Sequence, residues 1–176
     1  MTETPTIPDE FKDLLEAGTA ILATNGASGR PQVTAISFLY DAEDGLVKLS
    51  LNDTRQKMKN LRRDPKATLF IVDPQTPFRT LEIRADAEIL PDPDFSWCAK
   101  VGAKYNADFR VHDKPGETRS LVILHPRRVI GTDMRRWLGL STVGPDGAVR
   151  VVIASADLVG SATILANAAS WFLVGA

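Results

Sequence analysis

The sequence predicts a mainly β fold, an antiparallel barrel with flanking helices, followed by a C-terminal extension. Short stretches of alternating apolar and polar residues recur, with tight-turn signals at Gly26-Ala27-Ser28-Gly29 and Asp44-Gly45 between them. Strands joined this closely are antiparallel, which favours a closed barrel over a doubly wound parallel sheet. The chain then changes character, because across its last forty residues only Asp146, Arg150 and Asp157 are charged. The boundary implied is a barrel domain over residues 1–134 and an extension of unassigned role over 135–176.

Pro8, Asp9 and Glu10 suit a helix start, since proline needs no amide partner there and acids favour the positive helix end. Phe11, Leu14 and Leu15 share its inner face and Gly18 stops it. Strands follow over Ala20–Thr24, Pro31–Tyr40 and Leu46–Leu51, with Lys48 and Ser50 expected opposite Val47, Leu49 and Leu51. Asp53 or Thr54 is placed to cap a short helix reaching about Arg63, with Met58 and Leu61 inward and Asp64-Pro65 ending it. Ala67–Asp73 and Arg79–Leu90 return to strand, the latter with Leu81, Ile83, Ala85, Ala87 and Ile89 opposite Arg84, Asp86 and Glu88. A helix over Asp94–Tyr105 and a strand over Arg119–Ile130 complete the expected barrel.

Composition narrows the function. The chain has 176 residues, 44% hydrophobic and 24% charged with net charge −1, so one domain with terminal additions is expected, and no global field recruits nucleic acid or an anionic membrane. Cys98 is the only cysteine, which excludes an intramolecular disulfide framework and a cysteine metal cluster and fits a reducing, cytoplasmic compartment. Residues 1–10 hold three acids and no basic or apolar run, unlike a secretory or transit signal. Leu158–Ala176 is apolar, but Gly160, Ser161, Thr163, Asn167 and Ser170 make it too polar for a membrane span. A hairpin and helix on the barrel or on a partner subunit, or an accretion without function, remain its readings.

The chemistry concentrates between Lys48 and Lys66, where seven basic residues meet two acids. On a helix starting near Thr54, Arg55 and Lys57 lie in the first turn, where free amides and the dipole already favour an anion. Cations there oppose the dipole by roughly 0.3–1 kcal/mol each unless a bound anion offsets them. Their placement predicts a phosphate; the alternative from composition alone is an exposed basic face. Arg62 and Arg63 complement the opposite end and need no ligand. His112 and His125 are the only histidines, and neither metal-ligand spacing nor a nucleophile elbow accompanies them. Tyr40 and Tyr105 are read as packed side chains, as are Phe95 and Trp97.

Gly29-Arg30-Pro31-Gln32-Val33-Thr34, followed by Thr54-Arg55-Gln56-Lys57-Met58-Lys59-Asn60-Leu61-Arg62-Arg63-Asp64-Pro65-Lys66-Ala67, resembles the pyridoxamine 5′-phosphate oxidase-like superfamily. It looks most similar to the branch of small enzymes that use the deazaflavin coenzyme F-420. The resemblance covers about Phe11 to Met134, with His125-Pro126-Arg127-Arg128-Val129-Ile130-Gly131 as the closing strand. It implies a six-stranded split barrel that forms a homodimer with two cofactor sites at the interface. By the same analogy Arg55 and Lys57 hold the cofactor phosphate with help from Asn60. Gln32, Val33 and Thr34 line the ring system, and the partner subunit contributes around Arg79 and Thr80.

The resemblance also implies hydride transfer from reduced F-420 to an unsaturated or carbonyl-conjugated small molecule, a reaction in which the cofactor carries the chemistry and no protein nucleophile is required. An FMN-dependent oxidase or reductase on the same barrel, and a module that binds flavin, deazaflavin or haem without turnover, are the alternatives. The substrate clamp of the vitamin-pathway enzymes, an Arg-x-His-type element near the C-terminus, has no counterpart after Met134. F-420 also carries a polyglutamate tail, for which Lys59, Arg62 and Lys66 offer basic surface.

Overall fold

The computed structural model describes residues 5–135, 140–141 and 150–151. After a 3-10 helix over Asp9–Glu16, the strands are β1 (Ala20–Asn25), β2 (Pro31–Ile36), β3 (Leu39–Asp41), β4 (Leu46–Asn52), β5 (Lys66–Val72), β6 (Arg79–Pro91) and β7 (Arg119–Asp133). Helix α1 (Gln56–Arg63) lies between β4 and β5, and α2 (Ser96–Lys104) between β6 and β7. These strands form one sheet in the order β2-β1-β5-β6-β7-β4-β3. The pairs β1–β2, β1–β5, β5–β6, β3–β4 and β4–β7 are antiparallel.

The strand count differs from expectation. The stretch Pro31–Tyr40, read as one strand, divides into β2 and β3, which lie on opposite edges of the sheet. Phe38 is fully buried at the break, and its backbone leaves the ladder for a side chain: its amide donates to the Tyr105 hydroxyl at 2.9 Å, and that hydroxyl donates to its carbonyl at 3.0 Å. Three peptide units separate Ile36 from Leu39, so the two edges stand within about 11 Å of each other here. The sheet therefore curls into a half-barrel of seven strands, mainly β with flanking helices.

The core follows the predicted alternation. Leu22 on β1, Leu69 and Ile71 on β5 and Leu81 and Ile83 on β6 are buried on one face, joined by Met58 and Leu61 of α1 and by Phe11, Leu14 and Leu15 of the first helix. Registers Leu22↔Thr34 and Thr24↔Gln32 put Thr34 and Gln32 on this inner face too, and Val33 on the outer face, 61% exposed. Strand β4 departs from the expected alternation, because α2 packs on it and Lys48, Ser50 and Asn52 are buried as well. The Lys48 ammonium survives burial by pairing with Asp41 and Asp44, both at 2.6 Å, and by lying 4.5 Å from the Trp97 ring centroid. A cation counted with the basic cluster is thus spent inside the fold.

The chain divides into two units, Met1–Gly131 and Thr132–Ala176. In the second, β8 (Leu140–Ser141) pairs antiparallel with β9 (Arg150–Val151). The expectations for Leu158–Ala176 lie outside the described residues. Among the described residues no helix is long and apolar enough to cross a membrane, and no group of side chains could hold a metal ion.

Candidate functional site

The loop between β4 and α1 is fixed from both ends of Asn52. Its Oδ1 accepts from the Thr54 amide at 2.9 Å and hydroxyl at 2.7 Å, and its Nδ2 donates to Asp113 at 2.7 Å and Glu117 at 2.8 Å. Asp53 accepts from Thr118 at 2.5 Å, Ser120 at 2.7 Å and Arg62 at 2.5 Å. Burial alone would raise the Asp53 carboxyl, but these donors outweigh it and leave it lowered. The cap expected from Asp53 or Thr54 therefore does not form. Both side chains turn instead to the Thr118–Ser120 segment and Glu117, across the turn that precedes β7.

Helix α1 consequently starts without a side-chain cap, with Arg55 at the capping position. Among the described residues the Gln56 and Lys57 amides have no acceptor. Arg55 is exposed and Lys57 half-buried, and Lys57 has no carboxylate within ion-pair distance among the described residues. Burial lowers the Lys57 ammonium below the usual lysine range, and Arg55 beside it lowers it further. At the other end Arg62 is matched by Asp53, and Arg63 donates to the Asn25 carbonyl, so both, expected as a solvated helix end, are engaged within the chain. Two amides and two cations, neither cation in a close ion pair among the described residues, form a donor set suited to a phosphate.

One turn further, Asn60 is fully buried and links the helix to the β1–β2 hairpin. Its Nδ2 donates to Thr24 Oγ1 at 3.0 Å and Gln32 Oε1 at 2.9 Å, while its Oδ1 accepts from Gln56 Nε2 at 3.0 Å. The structure thus brings Gln32 and Asn60 into direct contact, with Thr34 two residues along the same face. Val33 faces the other way. Thr24 and Gln56 were not among the residues singled out in the sequence. The hairpin register carries the signal for Thr24, because a turn at residues 26–29 sets Thr24 opposite Gln32.

Arg79 and Thr80 lie at the start of β6, at the opposite end of the β5 ladder from Lys66 and helix α1. Arg79 is 9% exposed, donates to Asp13 at two distances of 2.5 Å and to the Glu10 carbonyl, and lies 3.4 Å from Asp73. Its guanidinium pins the first helix to the β5–β6 turn, which gives it a structural role within the chain. Arg79→Met is expected to destabilise the fold by about 2–4 kcal/mol, since Asp73 loses its buried partner. Calorimetry should show that loss while cofactor affinity stays unchanged; a selective loss of affinity would assign Arg79 to the site instead.

Other candidates are committed to the fold. Tyr105 serves the Phe38 break, and His125 pairs with Glu88 at 2.7 Å. Around Asn25, Lys66, Thr68, Arg84 and Arg127, on the outer face of β1, β5 and β6, an open cleft of about 450 Å³ remains.

A curled antiparallel half-barrel with helices packed on its strands, carrying a phosphate-type donor set, defines the class as a flavin-type split barrel. The chain belongs to the pyridoxamine 5′-phosphate oxidase family, whose model matches residues 7–138. Among solved structures it is similar to an F-420 reductase, at 29% identity and a TM-score of 0.61, over 70% of this chain and 98% of that one. It is similar to the conserved hypothetical protein Rv2991 of Mycobacterium tuberculosis at 26% identity and 0.61, over 82% and 94%. A pyridoxamine 5′-phosphate oxidase-type protein of Listeria innocua shares the fold at 19% identity and 0.54, over 70% and 95%.

Proposed function

We propose that the protein is an oxidoreductase that uses reduced coenzyme F-420 to reduce an unsaturated or carbonyl-conjugated small molecule, working as a homodimer with cofactor sites between protomers. The observation that carries this reading is the half-buried Lys57, in no ion pair among the described residues, beside Arg55 at an uncapped helix start. Two neighbouring cations at the positive end of a helix oppose its dipole and each other, and a bound anion relieves both effects. Similarity to an F-420 reductase at 29% identity supports the choice of cofactor. All three residues nominated for a polyglutamate tail, Lys59, Arg62 and Lys66, are exposed, and Arg62 is in addition engaged by Asp53.

In this reading Arg55, Lys57 and the Gln56 and Lys57 amides hold the phosphate. Asn60 fixes Gln32, and Gln32 and Thr34 orient the ring along β2. The bound cofactor supplies the hydride, while the protein binds, orients and excludes water. A second copy suits the outer face of the sheet, where exposed Val33 and Val72 flank the half-buried Ile21, Ala23 and Phe70.

Titration of the purified protein with F-420 and with FMN, followed by fluorescence, tests the reading. Micromolar F-420 binding, weaker FMN binding and a two-chain mass in solution are expected. Tighter binding of FMN reassigns the cofactor on the same barrel, and binding of neither below about 1 mM ends the enzyme reading.

A further inference from the structure

The charges around the helix start are almost, but not fully, balanced. Arg62 is matched by Asp53 at 2.5 Å, and Arg119 by Asp113 at 2.6 Å. Those pairs are internally neutral. Arg55 and Lys57 remain, and against them stands one further carboxylate, Glu117. Its Oε2 accepts from Asn52 at 2.8 Å and the Lys114 amide at 2.9 Å, and its Oε1 accepts from Thr54 at 3.2 Å. These bonds tie Glu117 to the residue immediately before the capping position. The Lys114 amide, Asn52 and Thr54 hold its carboxyl below the usual range, with Arg55 adding to the effect. It is therefore ionised at neutral pH.

A site with two cations and one tethered carboxylate carries a residual charge of about +1; the carboxylate repels a doubly charged phosphate about twice as strongly as a singly charged one, and the doubly charged group also gives up more hydration on binding. We propose that Glu117 is a specificity-determining residue that makes this site select singly charged phosphodiesters over phosphomonoesters. The proposal rests on the cofactor reading above and deepens it, because the F-420 phosphate is a diester and the FMN phosphate is a monoester. A monoester carries close to two negative charges near neutrality. Within the structure the Asn52 clamp has a second consequence: it keeps Glu117 from swinging away from the helix start when a dianion arrives.

The test uses the full-length protein and two probes that share the F-420 ring, its ribityl 5′-monophosphate and the 5′-methyl ester of that phosphate, so that ring preference and the polyglutamate tail drop out. Dissociation constants at pH 7.5 are measured for wild type and Glu117→Gln, alongside F-420 itself. Wild type is expected to bind the methyl ester at least as tightly as the monophosphate. Glu117→Gln is expected to tighten the monophosphate about tenfold and to change the ester by less than about threefold. A wild-type preference for the monophosphate beyond about threefold, or an equal shift of both probes in the variant, overturns the proposal. The wild-type comparison decides the matter even if the variant folds poorly. If F-420 binds and neither probe does, the phosphate is not the point of selection and the proposal fails while the cofactor reading stands. If F-420 does not bind either, both fail together.

Discussion

Lys57→Ala is expected to weaken F-420 binding about 10- to 100-fold, the cost of one lost charge-assisted contact to a phosphate, without destabilising the free protein. The second half of the expectation is the discriminating one. In the absence of ligand the Lys57 ammonium is lowered first by burial and then by Arg55, so its charged form is better solvated in the unfolded chain. Between the lowered folded value and the ordinary lysine value the unfolded state binds more protons, and stability contributed by this group must rise as pH increases through that window. Removing the charge removes the penalty. Thermal melts of wild type should thus gain stability with rising alkaline pH, a gain that Lys57→Ala lacks, while saturating F-420 abolishes the difference. If Lys57→Ala lowers stability and leaves affinity intact, the lysine is part of the scaffold and the phosphate lies elsewhere.

Asn60→Leu should cost about 3 kcal/mol, roughly 10 °C in the melting midpoint of a domain of this size. The substitution keeps the branched shape of a fully buried side chain but removes every hydrogen bond it makes. Thr24, itself 2% exposed, is left with a buried hydroxyl lacking its donor, and Gln32 and Gln56 lose the group that holds them in register. Because Gln32 is one of the residues nominated to orient the ring, cofactor affinity should fall as well, measured below the melting range so that folding is complete. A variant as stable as wild type would show that the network under α1 is slack. Unchanged affinity in a destabilised variant would remove Gln32 from the site.

Much of the scaffold was legible because it rests on local rules. The alternation in Ala67–Asp73 and Arg79–Leu90, the inner pair Met58 and Leu61, and the face shared by Phe11, Leu14 and Leu15 follow from periods of two and about 3.6 residues, and the structure buries these residues as that periodicity requires. Besides the doubly buried β4, two elements escaped. The break at Phe38 depends on Tyr105, 67 positions away, and no local pattern announces that a distant hydroxyl will take over two backbone groups. The absence of a cap on α1 depends on Thr118 and Ser120, which draw Asp53 away from the helix it precedes. In both cases local preference was outbid by a partner far along the chain.

The same division holds for the site. By itself the sequence determined the concentration of positive charge at one helix start, since residue spacing fixes which side chains occupy a first turn. It also determined that no cysteine-based metal centre or disulfide framework can exist, since one thiol cannot build either. Only the tertiary structure decided which cations are free. Lys48 is spent on Asp41 and Asp44, Arg62 on Asp53 and Arg79 on Asp13, whereas Lys57 is left half-buried with no ion pair among the described residues. A charge is written in the sequence, but its availability depends on what lies within about 4 Å of it, and that is settled by contacts the chain makes only when folded.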